Sequence, residues 1–145
     1  MSPDEWREQL LVSGARETPE QEARFLRLVE VMAGSVTPFV ARTLLATFRA
    51  APDVGTQERV CSVLAGAPVD TRVTAILEEL PRLNGEAPEW AETLMGDLVE
   101  HDLLALKRHL HLADADTRLA VRVLLSRKRF CEMYPKAKSL QAYCH

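Results

Sequence analysis

The sequence predicts an all-α fold of about eight short helices in stacked antiparallel pairs, as in a HEAT-like α-solenoid, with an irregular helical bundle as the alternative. Helix-start signals recur along the chain, apolar residues follow the 3.6-residue period of helices with one buried face, and no stretch shows the sustained two-residue alternation of a strand. Spacings of roughly 13–19 residues between helix starts would give helix pairs of about 30–35 residues.

Proline next to a capping residue marks several of the helix starts. Ser2–Glu5 and Thr18–Gln21 are capping boxes with proline in the first turn, Thr37–Pro38 repeats the cap and the proline, and Pro88–Glu89 precedes Trp90. Proline loses nothing at these positions, because the first N–H groups of a helix have no partner inside it. These starts predict helices near residues 3–13, 19–33, 38–51 and 88–100.

Apolar stripes support these helices and place the others. Apolar residues recur at helical spacing in five stretches: Phe25 to Met32, Val40 to Phe48, Val73 to Leu80, Trp90 to Val99, and the group Leu119, Val123 and Leu124. Together with the turn residues between them, the stripes predict further helices near residues 57–65, 70–80, 103–112 and 115–129, and a short ninth helix from about 136 to 143.

The chain length and the charge distribution predict one domain with a distinct end. Its 145 residues fit a single domain over 1–145, with 130–145 as a basic C-terminal tail. Residues 1–100 carry 9 Lys+Arg against 17 Asp+Glu, whereas residues 101–145 carry 9 against 4. This asymmetry favours steered association with a charged partner, although both parts are also compatible with ordinary solvated helix surfaces.

The ends and the cysteines of the sequence predict a cytoplasmic protein. No basic segment followed by an apolar run opens the chain, so no signal peptide is expected, and no stretch approaches 18 apolar residues, so no membrane partner is expected. Cys61, Cys131 and Cys144 have no short spacing, which indicates a reducing compartment rather than a disulfide framework.

The residues that could carry chemistry show no catalytic or metal-binding pattern. His101, His109 and His111 lack the i, i+4 spacing of a zinc site on one helix face, and neither a GxSxG elbow nor a phosphate-binding glycine loop is present. The sequence therefore predicts no enzyme activity, no cofactor, no metal and no small-molecule substrate.

The basic end of the chain is a candidate nucleic-acid surface. Arg127, Lys128 and Arg129 precede Phe130, and Tyr134 and Lys136 follow, a mixture that can bind phosphates and stack on bases. The alternative is a basic last helical turn followed by aromatic residues that dock onto the body of the protein. The acidic remainder of the chain favours this alternative.

The candidate binding site is an acidic helical face between residues 86 and 100. On a helical wheel of residues 88–100, carboxylates gather opposite the apolar stripe, and Gly96 lies among them although a glycine inside a helix costs about 1 kcal/mol relative to alanine. The face is interpreted as a docking surface for a basic protein, where the small residues leave room for close approach, and the alternative is an ordinary solvated helix surface. The predicted partner-binding residues are Glu86, Glu89, Glu92, Thr93, Gly96, Asp97 and Glu100.

The stretch from Pro88 to Val99, with the leucines at 103, 106 and 110 after it, resembles the helical immunity proteins of bacterial polymorphic toxin systems, in particular immunity protein thirty. The match covers about residues 70–125. The resemblance implies a small cytoplasmic helical protein that binds and neutralises a cognate toxin, and an acidic face would suit a basic toxin such as a nuclease. The alternative functions are a helical-repeat adaptor for a housekeeping partner and a small nucleic-acid-binding helical protein.

Overall fold

The computed structural model describes residues 1–50 and 55–145, and every regular element in these ranges is helical. The elements, in chain order, are α1 (Pro3–Ser13), α2 (Pro19–Glu30), α3 (Pro38–Leu45), α4 (Thr56–Ala65), α5 (Val69–Glu86), α6 (Pro88–His101), α7 (Leu103–His111), α8 (Ala115–Leu125), α9 (Lys128–Met133) and a 3-10 helix (Pro135–Tyr143). The all-α prediction is confirmed, and the arrangement in HEAT-like pairs stays a prediction.

Side-chain caps fix four of the helix starts. The hydroxyls of Ser2, Thr18 and Thr37 accept hydrogen bonds from the backbone N–H groups three residues later at 3.1, 3.1 and 3.2 Å. The Asp114 carboxylate accepts one from Thr117 N–H at 2.8 Å. Each bond satisfies an N–H group that the helix itself leaves without a partner, which is why these starts lie where the sequence predicts them.

Three predicted helix ends are corrected. The chain leaves the α-helical conformation after Glu30 and after Leu45, earlier than the predicted ends at 33 and 51, and residue 51 itself lies outside the described residues. The predicted helix 70–80 continues through Pro81 to Glu86. The proline removes one backbone hydrogen bond, but the apolar stripe continues to the buried Leu83, and this packing supports the extra turn.

The predicted helix 115–129 is two helices. Ser126 N–H and Arg127 N–H donate to carbonyls three residues back, so α8 ends in a tightened turn before α9 begins at Lys128. The predicted ninth helix exists as the 3-10 helix from Pro135, in which Ala137 and Leu140 are buried.

Contacts between described residues group the chain into two compact units, Met1–Arg72 and Val73–His145. In the first unit the indole of Trp6 is 1% exposed, and its Nε1–H donates to the carbonyl of Leu28 at 2.9 Å, which ties α1 to α2. The prediction of one domain over 1–145 stays a prediction.

In the second unit the 3-10 helix packs against α6, α7, α8 and α9. Phe130, Ala137, Leu140 and Cys144 are each exposed by 1% or less. The segment 130–145, expected as a basic tail, is therefore part of the packed structure of this unit, because its apolar residues complete the core. No helix among the described residues is both long and apolar enough to cross a membrane.

Candidate functional site

The predicted acidic face lies on α6, and four of its residues form one exposed stripe. At 100° per residue, Glu89, Thr93, Asp97 and Glu100 fall within about 80° of one another around the helix axis, and all four are exposed. We call these four residues the outer stripe. The opposite side of α6 is buried, with Met95 and Leu98 fully covered, so core packing fixes the direction in which the outer stripe points.

Glu92 belongs to a different side of α6. Its carboxylate accepts a hydrogen bond from Nη2 of Arg129 at 2.9 Å, and its side chain is 14% exposed. The expectation that Glu92 lies free on a docking face is therefore corrected, because a cation from α9 already pairs with it. The helical wheel predicted that Glu92 lies on the polar side of α6, but it could not show that a residue of α9 pairs with it.

Gly96 is buried, and the interpretation that it leaves room for a partner is corrected. A Cβ atom at this position would lie 2.6 Å from Cε1 of Tyr134 and closer still to Cζ. The Tyr134 ring also packs against Phe130, with the ring centroids 5.2 Å apart. The glycine is thus explained inside the molecule, where its missing side chain makes room for a tyrosine of the C-terminal segment.

Glu86 ends α5 and takes part in a local ion-pair group. Arg82 donates to Glu79 and to Glu86 at 2.9 Å each. Burial lowers the pKa of Arg82, but the hydrogen bonds and charges of the two glutamates outweigh it and raise that pKa. Glu86 therefore differs from the outer stripe, in which, among the residues that the structure describes, no Lys or Arg pairs with a carboxylate and Asp97 lies 3.6 Å from His101 Nε2.

The histidines and cysteines are dispersed. His109 Nδ1 lies 3.4 Å from Oγ1 of Thr74, and no three His, Cys, Asp or Glu side chains within the described ranges are placed to hold a metal ion. Cys61 and Cys131 are half-buried, whereas Cys144 is fully buried. Burial raises the pKa of the Cys144 thiol, against the opposing effect of Arg122 and Arg118.

Two of the basic C-terminal residues form ion pairs within the second unit. Arg129 pairs with Glu92, and Lys128 Nζ lies 3.8 Å from Glu132. Phe130 is 1% exposed, and Tyr134 packs over Gly96. The Phe130 ring is therefore not available to stack on bases and Tyr134 is half-buried against α6, whereas Lys136 is exposed.

A second acidic surface lies between α5 and α8, where the sequence predicted core. Leu119 and Val123, assigned to the buried stripe of their helix, are 51% and 40% exposed and line a groove of about 440 Å³ together with Pro81. The acidic residues of the lining are Glu78, Asp114 and Asp116. The described part of the lining contains no Lys or Arg, and we call this surface the acidic groove. The buried side of α8 contains Ala120, Val121, Leu124 and Leu125 instead.

The sequence contains a weak signal for the acidic groove. Leu119 and Val123 are four residues apart, and Asp114 and Asp116 precede them, but the same pattern also describes a capped helix with a buried stripe. Periodicity alone cannot tell which of two apolar sides of α8 is covered.

In comparisons of the chain with protein-family models, with curated proteins and with solved structures, no match was found.

Proposed function

We propose that this chain is an immunity protein that binds a basic toxin protein and neutralises it by covering its active surface. The observation that carries the proposal is the outer stripe, in which Glu89, Asp97 and Glu100 expose three carboxylates along one side of α6. Inhibition needs no chemistry from this chain, since a bound protein blocks the toxin sterically and opposes its positive charge.

The outer stripe is better explained by binding than by stability. Asp97 and Glu100 are three residues apart on a helix, and like charges at this spacing destabilise the helix by a few tenths of a kcal/mol. Exposed charges of one sign, however, raise the association rate with an oppositely charged protein and disfavour partners of the same sign. This physical advantage supports a basic partner.

The acidic groove supports the same partner chemistry with an apolar contribution. Leu119 and Val123 offer exposed apolar surface, and Glu78 and Asp116 lie in the same lining. A partner that inserts an apolar side chain flanked by Lys or Arg would bury apolar area and satisfy the carboxylates together.

The identification of the partner as a toxin rests on the resemblance of the stretch from Pro88 to Val99 to helical immunity proteins. In that interpretation the protein acts in the cytoplasm, where it meets a toxin made by the same or a sister cell. Stacked HEAT-like helix pairs would suit the role, because they present helix faces as extended binding surfaces.

Affinity capture with charge-reversal variants tests the proposal. The tagged protein is used to capture partners from lysate of its source, the captured protein is identified, and cells expressing that protein are tested for protection by the chain. The outer-stripe variant is Glu89→Lys with Glu100→Lys, and the groove variant is Glu78→Lys with Leu119→Lys. The control matched to the outer-stripe variant is Glu8→Lys with Glu17→Lys, which makes the same two charge reversals at exposed positions of the first unit.

We expect one basic protein at near-stoichiometric yield, weakened at least tenfold by the outer-stripe variant and unchanged by the control. Glu92 is left out of the variants because its loss would also break the ion pair with Arg129. If the outer-stripe variant binds and protects as well as the unmodified chain while the groove variant does not, the docking surface is the acidic groove. Capture of nucleic acid or of a housekeeping protein, without protection against any toxin, would refute the immunity function.

A further inference from the structure

The first unit contains an apolar groove of about 750 Å³ formed by α1, α2 and the start of α3. Trp6, Leu28 and Val40 line it and are exposed by 8% or less, so they form its floor. Val31, 66% exposed, and Phe39 also line it. The volume lies within the range of about 300–1,000 Å³ that is common for small-molecule sites.

The polar groups that the floor brings to the groove are already satisfied. The Trp6 indole N–H donates to the Leu28 carbonyl at 2.9 Å. The hydroxyls of Ser2 and Thr37, which also line the groove, accept the capping hydrogen bonds of α1 and α3. The floor therefore presents an apolar surface on which no polar group needs a hydrogen bond from the ligand. An aliphatic or aromatic group can cover such a surface without leaving a buried polar atom unpaired.

The charge of the groove has one sign. Arg24 and Arg27 line it, and no Asp or Glu is found among the described lining residues. Arg24 Nη2 donates to the neutral Gln9 Oε1 at 2.5 Å, and Arg27 forms no ion pair with another described residue. Residues 1–72 contain more Asp+Glu than Lys+Arg, so two arginines that line an apolar groove without an acidic residue in the same lining are not explained by the general composition of the unit.

We propose that this groove binds a small amphipathic carboxylate, with its apolar body on Trp6 and Leu28 and its carboxylate at Arg24 and Arg27. The two arginines are three residues apart on α2 and so share a side of the helix. Guanidinium groups bind carboxylates through paired N–H donors, so the arginines would orient the ligand with its carboxylate at this end of the groove. The ligand site lies outside the surfaces assigned to the toxin and does not depend on that function.

Titration calorimetry with dodecanoate below its micelle concentration tests the site in the full chain. A second readout is the NMR signal of the Trp6 indole N–H, which lies at the floor of the groove. Dodecyltrimethylammonium, with the same alkyl chain and the opposite charge, is the ligand control. The variants are Arg24→Gln with Arg27→Gln, and Ser35→Phe, which places a ring into the groove from an exposed lining residue. Arg42→Gln is the control for the loss of an exposed arginine, since Arg42 lies on α3 outside the lining.

We expect saturable binding of one dodecanoate that shifts the Trp6 indole signal. The double arginine variant should weaken it at least tenfold, Ser35→Phe should abolish it, and Arg42→Gln should leave it unchanged. Equal or tighter binding of dodecyltrimethylammonium, or binding that survives the double arginine variant, would overturn the proposal. A dimer in solution that Ser35→Phe dissociates would overturn it as well, because the occupant would then be a second copy of the chain.

Discussion

At the scale of single residues, Gly96 separates two explanations that a helical wheel cannot distinguish. A glycine on the polar side of a helix indicates that another group packs closely against the helix at that position. The wheel leaves open whether this group belongs to a partner or to the chain itself. Tyr134, which is 38 residues later, fills the space. The residue type was therefore informative from the sequence, whereas the identity of the neighbour depends on a long-range contact that no local pattern encodes.

Replacement of Gly96 by alanine tests this packing. In an open helix the change would stabilise the protein by about 1 kcal/mol. Here the new methyl group would overlap the Tyr134 ring, so we expect a net loss of about 1–3 kcal/mol in the free energy of unfolding, measured by urea denaturation. The double variant Gly96→Ala with Tyr134→Ala should be more stable than the sum of the two single changes predicts, because the overlap is then gone. A Gly96→Ala variant that is more stable than the unmodified chain would contradict this packing.

At the scale of elements, α6 divides its acidic residues between a packed side and a free side. Glu92 faces Arg129 of α9, whereas the outer stripe faces away from the core. The sequence predicted where this helix begins, from the proline at its first position, and most of its buried apolar residues, from their periodicity, whereas Gly96 was placed on the polar side. It could not predict that α9 would cover the Glu92 side, because the break between α8 and α9 was itself missed.

A double-mutant cycle on Glu92 and Arg129 measures the contact between α6 and α9. Arg129→Ala should cost more than Glu92→Ala, because it leaves a carboxylate that is 14% exposed without its cation, whereas Arg129 is 67% exposed and is solvated when alone. We expect a coupling energy of about 0.5–1 kcal/mol in urea denaturation. The Lys128–Glu132 pair, with side chains 90% and 65% exposed, is the control and should give about 0.3 kcal/mol. Equal coupling in the two pairs would contradict the packed position of Glu92.

The cap at the start of α8 leads to a prediction of how the stability of the folded chain depends on pH. The backbone N–H of Thr117 donates to the Asp114 carboxylate and lowers its pKa below the ordinary value of 3.8. The charged form therefore stabilises the folded chain above pH 3.8, and this contribution is lost as the pH falls through the lowered pKa. Asparagine also caps helices well but carries no charge, so Asp114→Asn should be less stable than the unmodified chain at pH 7, and the difference should shrink as the pH falls below 3.8. The same difference with Asp116→Asn, an acidic residue of α8 that is not its cap, would contradict the assignment.

At the scale of the whole molecule, the acidic and the basic regions of the sequence are partly paired with each other inside the second unit. The sequence showed acidic residues up to 100 and basic residues after 101, which favoured an external partner for both. The contact between Arg129 and Glu92 brings the two regions together, whereas the carboxylates of the outer stripe and of the acidic groove, and the exposed Lys136 and Lys138, keep their charges at the surface. The fold class could be predicted because caps and periodicity are local, whereas the surfaces depend on which helices meet.

Truncation of the chain after Met133 tests whether its C-terminal segment is a tail or part of the core. The 3-10 helix packs against α6, α7, α8 and α9, and burial of Leu140 alone contributes about 1.5–3 kcal/mol. With Tyr134, Ala137 and Cys144 also lost, we expect a cost of about 4 kcal/mol or more, a large part of the 5–15 kcal/mol that stabilises an ordinary domain. Lys136→Gln with Lys138→Gln removes two positive charges from exposed positions and keeps the packing, so its unfolding free energy should change by less than about 0.5 kcal/mol. If instead the truncated chain unfolds at the same urea concentration as the full chain, the segment contributes charge and not core, and the packing assigned to Leu140 is wrong.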